Sequence, residues 1–542
     1  MSGTTADRTP AWPRWVLALS VAVALSSAIP HAWQARTCPA DEVFTGFVEA
    51  HNDQNLYLMW ARQAQAGRVL MDNLATAEQA PPMFAGPQWV ALGMLARIIP
   101  IPLVVLYRII AVALAFIYLL ILWRLISEVF RDPSARLFAF VIGALGSGFG
   151  AICDAINAIA GRTVIFSADL MPELWAYHSF LLPHFTLTLC FMALLTLTLL
   201  RAWRAPSMRL SFAAAGWALL LIAVHPYDIV VWGPLLVLHT VVCVLARVPV
   251  RTVAVNAWAL AGAAIPAAAY ALQSKTHPMI AVWTEQNLLR SPALYVYLIG
   301  MGAPLLLAIL GRGAMREEPA EDAPPAPQVG QFLVLWALVS VLMAYSYPLV
   351  PFERRAVEGI HIPLALLAGA GMAAWVLPRL RSRRLAMALL LVAILPTNVM
   401  LLVRGAGAEQ ARIPLGMVRG FEWIEANTAP DARVFTSMTV GQYCCRYALR
   451  HVFVGHLQVT VDPPGKQALA EEFFAVGTAE ARRREILRAS GCGWVAATPE
   501  QASALAGLPW LEEARNEGAL VIYRFPEAGL VPELTVVTDA NG

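Results

Sequence analysis

The sequence is short of charge. Only 14% of its 542 residues are Asp, Glu, Lys or Arg, against about 25% in an ordinary soluble domain, while 58% are hydrophobic. Lipid rather than water is the main solvent such a chain implies. A net charge of +3 is too small to mark a nucleic-acid binder, so no nucleic-acid partner is expected. Cysteine is sparse and unpatterned: Cys38, Cys153, Cys190, Cys243, Cys444, Cys445 and Cys492 show no CxxC or Cys/His spacing, which argues against structural zinc. Cys190 and Cys243 fall in apolar runs and read as packing residues; a disulfide among the others would require an oxidising compartment. There is no visible internal repeat. The last 140 or so residues contain no GxGxxG, P-loop or GxSxG, so neither a nucleotide site nor a hydrolase triad is expected there.

What is abundant is apolar runs of membrane length. A transmembrane helix needs about 20 mostly apolar residues. Stretches near 13–32, 102–126, 136–152, 179–200, 210–226, 229–247, 252–272, 292–311, 330–348, 360–377 and 385–403 meet that description, predicting about eleven spans. The first run, Trp15 to Ile29, follows Arg8 and Arg14 like a signal peptide, but no small-residue cleavage site clearly follows, so it reads as an uncleaved helix. The run from Trp89 to Ile99 is short and reads as re-entrant or interfacial.

Arginine placement sets an orientation. Arg8 and Arg14 precede the first span; Arg124, Arg131 and Arg136 follow the second; Arg201, Arg204 and Arg209 the fourth; Arg247 and Arg251 the sixth; Arg312 and Arg316 the eighth; and Arg379, Arg381, Arg383 and Arg384 the tenth. All fall on one side, which predicts a cytoplasmic N-terminus in a multi-pass bacterial inner-membrane protein. The loops 33–88, 153–178, 273–291 and 348–359 and the C-terminal tail are then extracytoplasmic. Phe352-Glu353-Arg354-Arg355 breaks the charge rule by standing outside. The acidic, Pro-rich stretch Glu317 to Gln328 reads as a disordered linker.

Composition changes near residue 404. Residues 1–404 read as the membrane domain, with the large first external loop 33–88. Residues 405–542 read as a soluble extracytoplasmic α/β domain: helix at Phe421–Ile424, 466–475 and 479–489, strand at Arg433–Thr436, His451–Val454, Trp494–Ala496 and Leu520–Tyr523.

The first external loop carries the leading chemical candidate. His51-Asn52-Asp53-Gln54 is polar and leads into the apolar Leu56-Tyr57-Leu58-Met59-Trp60. One reading puts Asp53 in the first turn of a helix, where an acid favours the positive dipole end. The other makes Asp53 a base at the mouth of a membrane-embedded cavity. Asp41 and Glu42 are alternatives. Glu173, Tyr177, His178 and His184 form a second group. The two histidines are six apart, which does not place them on one helix face, and Pro183 disturbs the spacing, so bonds to loop carbonyls are favoured over metal. Arg354 and Arg355, followed by Glu358 and His361, suit a lipid phosphate because a guanidinium bonds two oxygens at once; an ordinary interfacial ion pair with Glu353 explains them equally. His225-Pro226-Tyr227-Asp228 reads as a hairpin turn. Gly455-His456-Leu457-Gln458-Val459-Thr460 and Lys466 are either a loop of the α/β domain or a contact to substrate.

The order of a first helix, a large acid-bearing loop, many spans and an α/β tail resembles the GT-C class of polytopic membrane glycosyltransferases, in particular bacterial relatives of the mannosyl- and aminoarabinose-transferase group. The local matches are Phe44-Thr45-Gly46 leading to Asp53 and Tyr57, Pro183-His184-Phe185, Arg354-Arg355 leading to Gly359 and Pro363, and Gly455-His456 with Thr460 and Lys466. The resemblance implies a sugar donor carried on a polyprenyl phosphate, an extracytoplasmic acceptor (lipid, glycan or protein), and Asp53 as base or orienting carboxylate. Tyr57, His178, His184, Arg354 and Arg355 are then the candidate substrate-binding residues. Many members of that class carry a second acid beside the first. Here Gln54 follows Asp53, which leaves a divalent metal open. The rival reading is a non-enzymatic transporter or lipid flippase, which would favour short loops, internal repeats and ionisable groups at mid-bilayer.

Overall fold

The computed structural model describes residues 12–315 and 327–529. Arg8, Arg316 and all but the end of the Glu317–Gln328 stretch lie outside the described residues. The chain divides into two compact units: Met1–Ile29, Ile109–Pro266 and Arg290–Leu402 form one, and Pro30–Arg108, Ala267–Leu289 and Val403–Gly542 the other. The division does not follow the 1–404/405–542 boundary. The first loop and the tail belong to the same unit.

The chain is a multi-pass helical membrane protein. Six described helices are long and apolar enough to cross a bilayer: Leu103–Val129, Pro183–Arg204, Pro226–Leu245, Val250–Thr276, Leu294–Ala314 and Glu353–Leu380. Three bent pairs raise the number to nine, with breaks of 41° after Ser26, 41° after Leu145 and 44° after Ile394. The last break falls at Pro396, where the ring removes a backbone donor. The expected count of eleven is not reached. The stretches near 210–226 and 330–348 do fold as helices, but Met208–Val224 and Val329–Met343 have 17 and 15 residues, short of a full span.

Within the first unit the helices approach closely at small residues. A Cβ on Gly311 would meet the Leu367 carbonyl, and one on Gly371 would meet the Leu307 carbonyl. Without a hydrophobic drive between helices in lipid, such backbone approach supplies the packing. Gly302 has φ of +53° inside Leu294–Ala314, a left-handed conformation open to glycine, and it lies against Gly148.

The second unit holds the sheet. The tail strands β3 (Arg433–Phe435), β4 (His451–Val452), β5 (Trp494–Ala497), β6 (Glu512–Asn516) and β7 (Val521–Arg524) are ordered β4-β3-β5-β7-β6. β3 runs parallel to β4 and β5; β7 is antiparallel to β5 and β6. Pro463–Phe474 and Glu480–Ala489 are the expected helices, and Phe435, Phe473, Ile486 and Val495 lie in one buried core. The first loop joins this unit by pairing. β1 (Glu42–Phe44) is antiparallel to β2 (Arg412–Pro414), with Val43 opposite Ile413. The run expected to be re-entrant or interfacial folds as Pro87–Ile98 and packs on helix His51–Gln65, where a Cβ on Gly93 would strike the Ala61 carbonyl.

Candidate active site

Asp53 stands in the first turn of helix His51–Gln65. The helix is launched by Ala50 at φ 47° and has no side-chain cap, so the acid near the positive dipole end meets the helix-start expectation. Its carboxylate does more than face the dipole. Oδ1 lies 3.1 Å from Nε2 of His456, more than 400 positions later in the chain. The Nδ1 of His456 accepts from the backbone amides of Gln458 (3.0 Å) and Val459 (3.3 Å). Nδ1 is therefore an acceptor, Nε2 carries the proton, and the imidazole donates to Asp53. His456 is buried, while the Asp53 side chain keeps 44% of its exposure. The carboxylate is thus gripped from one side and open on another.

The surrounding loop is locked to the helix start. Asn52 donates to the Gly455 carbonyl at 3.2 Å and accepts from the Leu457 amide at 3.1 Å. Thr460 Oγ1 accepts from the amides of Gly455 and His456 and donates to the Ala75 carbonyl at 2.6 Å. Gln286 donates to the carbonyls of Gln458 and Thr460. Two short sequence matches far apart in the chain, the one ending at Asp53 and the one at Gly455-His456-Thr460, meet here.

Two arginines supply positive charge in the same unit. Arg446 is buried; it donates to Asn55 Oδ1 at 2.8 Å and the Thr45 carbonyl at 3.0 Å, and lies 4.8 Å over the Phe47 ring. Burial pulls its guanidinium below the ordinary value, but an arginine starts so high that it stays charged. Arg108 contacts His31 Nε2 at 2.9 Å, bonds to Gln54 and lies 4.5 Å over the Tyr107 ring. Arg108 bonds to Gln54 and Arg446 to Asn55, the two residues that follow Asp53, so both cations lie at the same helix start. Sequence reading missed both arginines. Arg108 had a visible signal, a charge five residues into the apolar run Leu103–Val129, well before Arg124 and Glu128 at its far end; Arg446 had none. Tyr57 stacks on Trp89, with ring centroids 4.4 Å apart and planes 11° from parallel.

The other candidates belong to the first unit. Arg354 and Arg355 both donate to Oε1 of Glu173, at 3.1 and 2.9 Å. Glu173 is 1% exposed. Burial works to raise its pKa, but Arg355 and Arg354 more than offset this and hold it below the usual carboxylate range. The interfacial partner anticipated for the pair, Glu353, instead takes Arg290 and the Ser291 amide. His178 and His184 are both buried; His184 lies beside Phe185 with centroids 4.2 Å apart. The expected turn forms at His225–Asp228, and it is buried. Pro226–Asp228 is a single 3-10 turn, and both His225 and Asp228 are buried next to Glu358.

Among the described residues, no set of three His, Cys, Asp or Glu ligand atoms includes Asp53. The nearest imidazole nitrogen already carries a proton directed at it.

The chain shares its fold with solved glycosyltransferases of the GT-C class, among them an oligosaccharyltransferase, an ArnT and an arabinofuranosyltransferase. The oligosaccharyltransferase of Archaeoglobus fulgidus, tethered to an acceptor peptide, matches at 14% identity and a TM-score of 0.55, over 92% of this chain and 72% of that one. ArnT from Cupriavidus metallidurans, bound to undecaprenyl phosphate, matches at 13% identity and a TM-score of 0.54, over 95% of this chain and 99% of that one. The arabinofuranosyltransferase AftD from Mycobacteria matches at 17% identity and a TM-score of 0.56, over 95% of this chain and 42% of that one. No family model and no curated protein matches the chain.

Proposed function

We propose that this protein is a membrane glycosyltransferase that moves a sugar from a polyprenyl-phosphate donor to an extracytoplasmic acceptor, with Asp53 as the base. The observation that carries the reading is the Asp53–His456 contact: a half-exposed carboxylate, held at 3.1 Å by an imidazole whose tautomer is fixed, with the cations Arg108 and Arg446 bonded to the next two residues, Gln54 and Asn55. A transporter needs no such oriented base. The shared fold supports the donor class, because ArnT has been solved with undecaprenyl phosphate and the archaeal enzyme with dolichol-phosphate.

The step balances simply. Asp53 accepts the proton of an acceptor hydroxyl as its oxygen bonds to the anomeric carbon. The bond from that carbon to the phosphate oxygen breaks, and the polyprenyl phosphate leaves with the electron pair. One displacement inverts the anomeric centre, as with a single base in inverting glycosidases. His456 aims the Asp53 carboxylate by donating a hydrogen bond to it. Arg108 and Arg446 favour the phosphate dianion as it departs. In this reading the Asp53 side faces away from the cytoplasm, in a bacterial inner membrane.

The test is Asp53→Asn in the full chain, read by mass spectrometry of envelope glycans and glycolipids. A general base contributes about 10²- to 10⁴-fold, so the transferred sugar should fall to trace level while the variant still inserts. Unchanged transfer would remove Asp53 from the mechanism.

A further inference from the structure

A second polar centre lies in the membrane unit. His225 ends the helix Met208–Val224, Asp228 closes the 3-10 turn that follows, and Glu358 comes just after the 3-10 turn Glu353–Val357. Their exposures are 5%, 3% and 2%. Neither Oε1 nor Oε2 of Glu358, nor Oδ2 of Asp228, nor Nδ1 of His225 has a hydrogen-bond partner. Buried polar atoms are rarely left so, and two carboxylates facing one another in an apolar interior repel.

The distances suggest what satisfies them. His225 Nδ1 is 3.3 Å from Asp228 Oδ2 and 3.4 Å from Glu358 Oε2, and the ligand atoms of all three residues lie within 4.8 Å of one another. Neither contact has hydrogen-bond geometry, so Nδ1 is close to both oxygens and bonded to neither. A zinc ion with nitrogen and oxygen ligands at about 2.0–2.2 Å has tetrahedral edges of about 3.3–3.6 Å. The two measured edges fall in that range. The charge also fits. Arg354 and Arg355 already share Glu173, leaving one net positive charge against the two carboxylates of Asp228 and Glu358.

We propose that His225, Asp228 and Glu358 hold a divalent transition-metal ion of the zinc type. The ion ties the 225–228 turn to the segment carrying Arg354 and Arg355. One imidazole and two carboxylates suit a borderline ion over calcium or magnesium. The site is independent of Asp53 and of the transfer reading; it stands or falls on metal content alone.

The test uses the purified full-length protein in lipid nanodiscs, stripped with chelator and then given zinc alone. Elemental analysis should find about one tightly held zinc per chain, and zinc should raise the thermal midpoint by mass action. Asp228→Asn and Glu358→Gln should each weaken retention by tenfold or more. Because either variant could fail to fold, X-ray absorption at the zinc edge of the wild-type protein gives a second reading: one imidazole with oxygen ligands and no sulfur. No zinc bound by the wild-type protein, equal zinc in folded variants, or a sulfur shell would each overturn the proposal. The first result would mean that a proton shared between the carboxylates satisfies them instead.

Discussion

Glu173→Gln offers the sharpest test of the electrostatics of the membrane unit. The substitution keeps shape and removes one charge. It leaves Arg354 and Arg355, whose side chains are 30% and 16% exposed, without the carboxylate they share. Breaking a buried pair by removing one partner costs about 3–5 kcal/mol. Partial access of water to Arg354, and the amide oxygen that still accepts a bond, lower this to about 2–4 kcal/mol. A cooperative unit of roughly 300 residues has an unfolding entropy near 0.6 kcal/mol/K, so the midpoint should drop by about 3–7 °C. The assay is tryptophan fluorescence during thermal unfolding in nanodiscs, at several scan rates. The double variant Glu173→Gln/Arg355→Gln should recover part of the loss, with a coupling of about 1–3 kcal/mol. The pH dependence has a definite sign. Glu173 has its carboxyl held below the ordinary range. Its contribution is therefore full above the unfolded value of about 4.3 and is lost as pH falls through the lower folded value. The gap between wild type and Glu173→Gln should close only in that acid window. A midpoint unchanged at neutral pH, or losses that simply add in the double variant, would refute the argument.

Other outcomes follow from single contacts. His456→Ala removes the donor to Asp53 and should lower kcat about 10- to 100-fold, the scale of one charge-assisted hydrogen bond; His456→Gln, which retains a donor at the same reach, should recover part of it. A change in KM alone would contradict an orienting role. Gly93→Val drives a side chain into the Ala61 carbonyl and Ala64 and should lower stability by about 1–3 kcal/mol, read as an earlier thermal midpoint. Lys466 is buried against Glu78, and burial lowers its pKa despite that partner. The unfolded chain then binds more protons between the folded value and about 10.4, so the stability of this unit should rise with pH across that window. Lys466→Met should flatten the rise.

The helices were legible because crossing a bilayer needs a minimum run of apolar residues: among the described residues nine of the expected stretches are long enough, three of them as bent pairs, and the other two fold as shorter helices. What the runs did not show is where each breaks. Pro396 was visible, yet the bend after Leu145 comes from the Gly146-Ser147-Gly148 link, which hydropathy averages over. Asp53 at a helix start could be read from His51-Asn52-Asp53-Gln54 before an apolar stretch. Its partner could not: His456 reaches it only because the first loop is paired into the tail through three-residue strands, too short to signal. β6 was missed for a different reason. Glu512–Asn516 is exposed throughout and pairs with β7 on one side only, so neither alternation nor apolar content marks it. His-Pro-Tyr-Asp has the chemistry of a turn, and it is one; turn chemistry does not report whether the tip is buried.

That buried turn bears on why the membrane unit keeps charge at all. Six ionisable groups, Glu173, Arg354, Arg355, His225, Asp228 and Glu358, occupy an interior where well-packed apolar residues of similar size would be equally or more stable. Stability alone does not explain them. Glu173 accepts one bond from each arginine through a single oxygen and leaves Oε2 without a partner. A purely structural ion pair would use both carboxylate oxygens, since the second bond carries little further entropy cost once the guanidinium is fixed. The unused acceptors at Asp228 and Glu358 are what the proposed metal site requires: negative charge already desolvated and already held in place.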